Sequence, residues 1–175
     1  MYTLKTYKNG LRLIHNFDNT NQAVTVSFVT LVGGKDEDDS NRGIAHLAEH
    51  MFFKGTTNRT NKQLTSELDT LGILYNASTS KDLTTFYTMG LAEQCEKMVD
   101  VLADCFFNSN YPENELKLEK DVVCSELCMY LDDNKEQIFT KAEDLGLQGT
   151  EYAYTLGGTV AVSYTHLTLP TKRIV

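Results

Sequence analysis

The stretch GIAHLAEHMFFKG (43–55) contains two of the four histidines in a chain of 175 residues. If it is a helix with about 100° between successive residues, its side chains divide into two stripes. One stripe is apolar and consists of Ile44, Leu47, Ala48 and Met51. The other lies on nearly the opposite side and consists of His46, Glu49, His50 and Phe53. The first stripe is suited to packing against a sheet, which leaves the second free to face a site.

The second stripe has the residue types of a metal site. His46 and His50 are four residues apart, so both imidazoles can be directed at one ion. Glu49 lies between them in the sequence, on the same stripe, and can reach a metal-bound water without being a ligand. The alternative is a polar helix face that contains two histidines by chance, so the motif needs a third ligand as its context.

A catalytic zinc ion takes three protein ligands and keeps one position open, so the third ligand is expected on another element. The segment LEKDVVCSEL (118–127) offers Glu119 and Glu126, which are seven residues apart and therefore nearly on one helical face. The residues alone leave a second reading open, in which these carboxylates belong to a solvated acidic stripe.

The remaining pattern predicts an α+β domain, with a mainly antiparallel sheet and helices packed on it. Strands are predicted at 2–6, 11–15, 23–34, 73–79 and 83–90. Helices are predicted at 43–54, 61–71, 92–108, 111–131 and 134–147. Asp39, Ser40 and Asn41 are candidate N-caps for the helix that carries the histidines.

Composition excludes several classes of function. The formal net charge is −8 and no lysine and arginine cluster is dense enough to follow a phosphate backbone, so we expect no nucleic-acid partner. The segment MYTLKTYKNGLRLIHN (1–16) lacks the apolar run of a signal peptide, and no stretch is long enough to span a membrane. We therefore expect no membrane attachment and a cytoplasmic location. The four cysteines lie among apolar residues at helical spacing, which predicts buried reduced thiols.

Residues 8 to about 159 resemble the N-terminal part of the pitrilysin/insulinase zinc metallopeptidases, the inverzincins, which include the mitochondrial processing peptidase. HLAEHMFFKGT (46–56) is similar to the family signature, and VGGKDE (32–37) resembles its approach to the metal helix. LEKDVVCSELCMYLDD (118–133) resembles the helix that delivers a distal glutamate. The 75 residues between His50 and Glu126 fit the family spacing.

The resemblance implies a role for each residue of the motif. His46, His50 and Glu126 would bind one zinc ion, Glu49 would be the general base, and Glu119 would be a supporting acid behind the ligands. The implied activity is a zinc-dependent endopeptidase. The alternatives are a non-catalytic, metal-binding assembly subunit of the same fold and a purely structural peptide-binding module. Inactive relatives usually lose part of this set, which is intact here.

The segment YNASTSKDLTTFY (75–87) resembles the family hairpin whose edge strand receives the substrate, which would place Asn76 and Ala77 on that strand. An edge strand offers unpaired N–H and C=O groups, to which an extended peptide can add as another strand. The alternative is an ordinary solvated hairpin.

The resemblance ends before the chain does. VSYTHLTLPTKRIV (162–175) departs from the family pattern, and its first ten residues match the translation of a transposase-based sequencing adapter. We therefore expect 1–161 to be the N-terminal part of a metallopeptidase domain and 162–175 to be a non-native tail, with a short edge strand as the alternative. The family's catalytic unit pairs two homologous halves around the peptide, so the expected partners are a second half, or a partner subunit, and a peptide substrate.

Overall fold

The computed structural model describes residues 2–159, which form a β-hairpin, a three-stranded antiparallel sheet and five α-helices. The strands are β1 (Tyr2–Thr6), β2 (Arg12–Asn16), β3 (Ala23–Thr30), β4 (Leu74–Thr79) and β5 (Thr84–Leu91). The helices are α1 (Ile44–Met51), α2 (Asn61–Leu71), α3 (Cys95–Asn108), α4 (Glu113–Asp132) and α5 (Asn134–Gly146). The predicted α+β class is confirmed. The prediction made for 162–175 lies outside the described residues.

The larger sheet has the strand order β3-β5-β4, and both pairings are antiparallel. Tyr87 of the central strand pairs with Ser27 on one side and with Asn76 on the other. Within the described residues, β4 is therefore hydrogen-bonded to a neighbouring strand along one edge only. The β1–β2 hairpin is a separate two-stranded sheet, and its side chains are exposed.

Two apolar clusters hold the helices in place. The larger one joins α2, α3 and the sheet and consists of Phe52, Leu64, Leu68, Ile73, Phe86, Met98, Val101, Leu102 and Cys105. The smaller one joins α1 to α4 and consists of Leu47, Met51 and Val123. Leu47 and Met51 belong to the apolar stripe predicted for the first helix, and both are almost completely buried. The second cluster thus fixes the distance between the two helices that carry the candidate ligands.

The start of α1 differs from the prediction, because none of the three candidate residues caps it. The N-cap is Gly43, in the left-handed region with φ 86°. The carboxylate of Glu37 accepts hydrogen bonds from the backbone N–H groups of Gly43 and Ala45, each at 2.8 Å. A side chain at position 43 would meet the Gly157 carbonyl oxygen at 2.5 Å, so glycine is needed here. The α1 helix also ends at Met51, three residues earlier than predicted.

The prediction of buried thiols holds for one cysteine of the four. Cys105 is buried, and burial raises the pKa of its thiol to about 12. Cys95 and Cys124 are half-buried, and Cys128 is exposed. All four are free thiols. Helical spacing placed them on α3 and α4 correctly, but it did not reveal which faces of these helices are covered.

No helix among residues 2–159 combines the length and the apolar character that a membrane span requires.

Candidate metal centre

Helices α1 and α4 bring His46, His50 and Glu126 together. The Nε2 atom of His50 lies 3.3 Å from Oε2 of Glu126, and Nε2 of His46 lies 3.8 Å from the same oxygen. One donor atom from each residue lies within 4.8 Å of the other two. The two imidazole rings are 4.7 Å apart and nearly perpendicular. The spacing of four residues on α1 thus directs both rings at one carboxylate oxygen.

The buried face of α4 carries the two acidic residues singled out in the sequence. Glu119 is buried, Val123 is almost completely buried, and the side chain of Glu126 is 25% exposed. These positions lie within about 60° of one another around the helix. The apolar residues Leu118 and Val122 of the same helix are exposed instead. The reading of a solvated acidic stripe is therefore wrong for Glu119 and Glu126.

The three converging side chains fit a zinc ion. Two imidazole nitrogens and one carboxylate oxygen form a known three-ligand set for catalytic zinc. Burial lowers the pKa of His46, and the neighbouring His50 lowers it further, against the opposing effect of Glu126 and Glu49. The neutral imidazole is the form that binds a metal, so this environment favours the state needed.

Behind His50 lies Glu119, which was predicted as a supporting acid. Its Oε2 is 3.1 Å from Nδ1 of His50, and its Oε1 accepts a hydrogen bond from Nζ of Lys54 at 2.5 Å. A carboxylate only accepts, so we assign the proton of this contact to Nδ1 of His50. That tautomer leaves the lone pair on Nε2, the nitrogen that faces Glu126. Lys54 was missed as part of the site, although its position four residues after His50 was a usable signal.

Glu49 contacts the sheet through its carboxylate. Its Oε2 accepts a hydrogen bond from the hydroxyl of Thr79, the last residue of β4, at 2.5 Å. Thr79 was not among the site residues predicted from the sequence. Strand alternation shows which residues of β4 lie on the same face of the sheet as Thr79, but it does not show which helix covers that face.

Tyr130 is a second residue of the site that was not predicted from the sequence. Its hydroxyl donates a hydrogen bond to Oε1 of Glu126 at 2.9 Å, from one turn further along α4. This bond raises the pKa of Tyr130, since it favours the protonated phenol. Both oxygens of Glu126 are thereby oriented, one towards Tyr130 and the other towards the histidines.

Asn76 and Ala77 lie on β4, outside the cluster of His46, His50 and Glu126. The turn that follows β4 is closed by a hydrogen bond from Ser80 N–H to the Leu83 carbonyl, at 2.8 Å. Because hydrogen-bonded and non-hydrogen-bonded pairs alternate in an antiparallel ladder, Asn76 directs its backbone groups towards β5, and Ala77 directs its own to the free edge. The Ala77 N–H donates to the side-chain oxygen of Asn76 at 2.8 Å.

Comparison with known proteins places most of the chain, including the candidate metal centre, in one family. Residues 12–160 match the family model described as insulinase (peptidase family M16). The chain is 40% identical over 127 residues to the uncharacterized zinc protease YmxG of Bacillus subtilis, covering 73% of this chain and 31% of that protein. It is 38% identical over 121 residues to the mitochondrial-processing peptidase subunit beta of Neurospora crassa, covering 69% of this chain and 25% of that one.

A solved structure shows the same fold. The structure of a protease from Helicobacter pylori superimposes with a TM-score of 0.89 at 24% identity, covering 97% of this chain and 41% of that protein. The chain thus spans about a quarter to a third of the length of the two relatives named above.

Proposed function

The chain belongs to the insulinase family (peptidase family M16), and on that premise we propose that residues 1–161 form the N-terminal part of a zinc-dependent endopeptidase. The convergence of His46, His50 and Glu126 is the observation that supports this most directly. Their donor atoms lie within 4.8 Å of one another although they come from two separate helices. We propose that these three residues hold one zinc ion.

Zinc bound at this position would polarise a carbonyl group and lower the pKa of a water ligand towards neutrality. Glu49 is the proposed general base, because it lies on α1 between the two histidines. As the base, it accepts a proton from the attacking water and later delivers that proton to the leaving amine. Thr79 holds Oε2 of Glu49, so Oε1 is the oxygen proposed to carry the proton.

Glu119 acts through His50 in this proposal. Its carboxylate accepts the Nδ1 proton, which fixes both the ring orientation and the tautomer that offers Nε2 to the metal. The ammonium group of Lys54 supports the charge of Glu119 from the other side. Loss of Glu119 is therefore expected to weaken metal binding without removing a ligand.

The free edge of β4 is the proposed site for an extended peptide. The backbone N–H of Ala77 is directed at this edge, where a peptide carbonyl can accept it in place of the Asn76 side chain. Asn76 would then be released to contact the bound peptide. Asn76 and Ala77 are thus proposed as substrate-binding residues.

We further propose that catalysis requires a homologous second half or a partner subunit. The chain spans 31% of the Bacillus subtilis relative, and another relative is named as a subunit of a processing peptidase. Holding a peptide in register against the attacking water contributes several kcal/mol to catalysis. We therefore expect the 175-residue chain alone to be an inefficient peptidase.

Zinc content tests the ligand assignment. The chain should bind one equivalent of zinc, and His50→Ala should bind far less, because each of the three ligands supplies a bond the ion needs. His15→Ala is the matched control, since His15 is an exposed histidine on β2 and should be dispensable. Stoichiometric zinc retained in His50→Ala would contradict the assignment.

Peptidase activity of the complete gene product tests the role of Glu49. Glu49→Gln keeps the shape of the side chain but cannot accept the proton, so zinc should be retained while turnover collapses. Cleavage at near the wild-type rate by this variant would exclude Glu49 as the base. A zinc-loaded wild-type protein without peptidase activity would favour the other function, a metal-binding assembly subunit.

A further inference from the structure

Thr79 contacts Glu49 from a different element of the fold. Its hydroxyl donates to Oε2 of Glu49 at 2.5 Å, which is at the short end of the range for a hydroxyl bound to a carboxylate. Both residues are half-buried, so water competes poorly for this hydrogen bond. The contact joins the last residue of β4 to the helix that carries both histidines.

The end of β4 is fixed independently of Glu49. The backbone N–H groups of Gly34 and Lys35 donate to the carbonyls of Ser80 and Lys81, at 3.1 and 2.9 Å. A Cβ atom at Gly33 would lie 2.4 Å from the Ser80 carbonyl oxygen, so this loop packs directly on the turn that follows Thr79. The hydroxyl is thus presented from a strand end that other contacts already hold.

A hydrogen bond from this anchored position restricts the three side-chain torsions of Glu49. Threonine is stiff at χ1, so its hydroxyl is a better defined anchor than that of a longer side chain. It occupies only Oε2, which leaves Oε1 for a proton. We propose that Thr79 is a positioning residue for Glu49, and this inference rests on the proposed function.

The same residue also belongs to the strand edge proposed for the peptide. Thr79 is two residues beyond Ala77, so its backbone groups are directed at the free edge of β4 as well. A peptide paired along this edge would therefore lie next to Thr79, the same residue that hydrogen-bonds to Glu49. This arrangement relates the register of the peptide to the location of Oε1 of Glu49.

Kinetics of the complete, zinc-loaded gene product test the proposal. Thr79→Val keeps the shape but removes the hydroxyl, and it should lower kcat by about 10²-fold, because small displacements of a catalytic group cost that much. KM and zinc content should stay within about twofold of wild type, and Thr79→Ser should restore most of kcat. Thr88→Val is the matched control, since the buried hydroxyl of Thr88 on β5 has no hydrogen-bond partner within the described chain.

A double-mutant cycle in thermal unfolding tests the contact without relying on activity. In the 175-residue chain, Thr79→Val should lower Tm in the wild-type background and have little effect in a Glu49→Ala background, because contacting residues are not additive. Additive changes in Tm would overturn the contact, whether or not the protein proves to be a peptidase. Non-additive Tm changes together with an unchanged kcat in Thr79→Val would overturn the positioning role.

Discussion

Replacing Glu119 by glutamine isolates the support that this residue gives to His50. The carboxylate accepts from Nδ1 of His50 at 3.1 Å and from Nζ of Lys54 at 2.5 Å, with one oxygen for each donor. Glutamine offers only one oxygen. If that oxygen faces His50, the new amide N–H₂ group meets the Lys54 ammonium; if it faces Lys54, two donors meet at His50. Either arrangement leaves one donor without an acceptor.

The loss should appear mainly in zinc affinity. Mutation of a residue that holds a metal-binding histidine typically weakens metal affinity by about 10- to 100-fold, which corresponds to about 1.4 to 2.8 kcal/mol. The side chain of Glu119 is only 10% exposed, so water cannot readily replace the lost acceptor. We therefore expect a loss near the upper end of this range, but smaller than the loss caused by removing a ligand.

Competition with a chelator of known affinity measures the effect as a zinc dissociation constant. Glu115→Gln is the matched control, because it makes the same chemical change one turn earlier on α4. Glu115 contacts Asn61 and Asn114, not the histidines. If the dissociation constants of the two variants agree within about threefold, Glu119 does not support the ligand and its burial has another cause.

Two further predictions concern the packing that holds the site. Asp104 is buried and accepts hydrogen bonds from four side chains, including that of Arg59. We therefore expect Asp104→Asn to lower the free energy of unfolding, measured in urea, by about 3 kcal/mol. Asp100 also contacts Arg59 but is exposed, so Asp100→Asn should lower the free energy of unfolding by under about 1 kcal/mol. Burial alone would raise the pKa of Asp104, but these bonds outweigh it and hold the pKa below its usual range. The contribution of Asp104 to stability is therefore present above the ordinary carboxyl pKa and is lost as the pH falls through the lowered value. This loss should be absent from Asp104→Asn. Equal free energies of unfolding in urea for the two aspartate variants would refute the prediction. Leu68 is fully buried, so Leu68→Ala should lower the free energy of unfolding in the same assay by about 2 to 5 kcal/mol. Leu71 lies on the exposed side of α2, so Leu71→Ala should lower it by under about 1 kcal/mol. A smaller difference between the two variants would show that the core collapses around the cavity.

Periodicity was sufficient to predict most of the fold. The spacing of apolar residues located five strands and five helices, and it assigned Leu47 and Met51 to the buried side of α1. Errors occurred where tertiary contacts decide the outcome. The start of α1 depends on Glu37, which reaches the helix from a preceding loop, and no local rule for N-caps includes such a residue.

The site was less predictable than the fold. His46 and His50 share a helix, so their spacing alone predicted that the two rings converge. Glu126 was one of two candidates in a segment that fitted a solvated stripe equally well, and only the resemblance distinguished its role. The location of Thr79 opposite Glu49 depends on how α1 crosses the sheet, which the sequence does not encode locally.

The arrangement of α4 explains why its carboxylates are buried. Val123 packs against Leu47 and Met51, and it lies between Glu119 and Glu126 on the same helical face. The contact that brings the helices together therefore also carries both carboxylates towards the polar side of α1. Burying these carboxylates requires polar partners. Among the described residues, Glu119 has His50 and Lys54 as partners. Glu126 has the two histidines and Tyr130. The geometry of the candidate metal centre is thus a consequence of how α1 and α4 pack against each other.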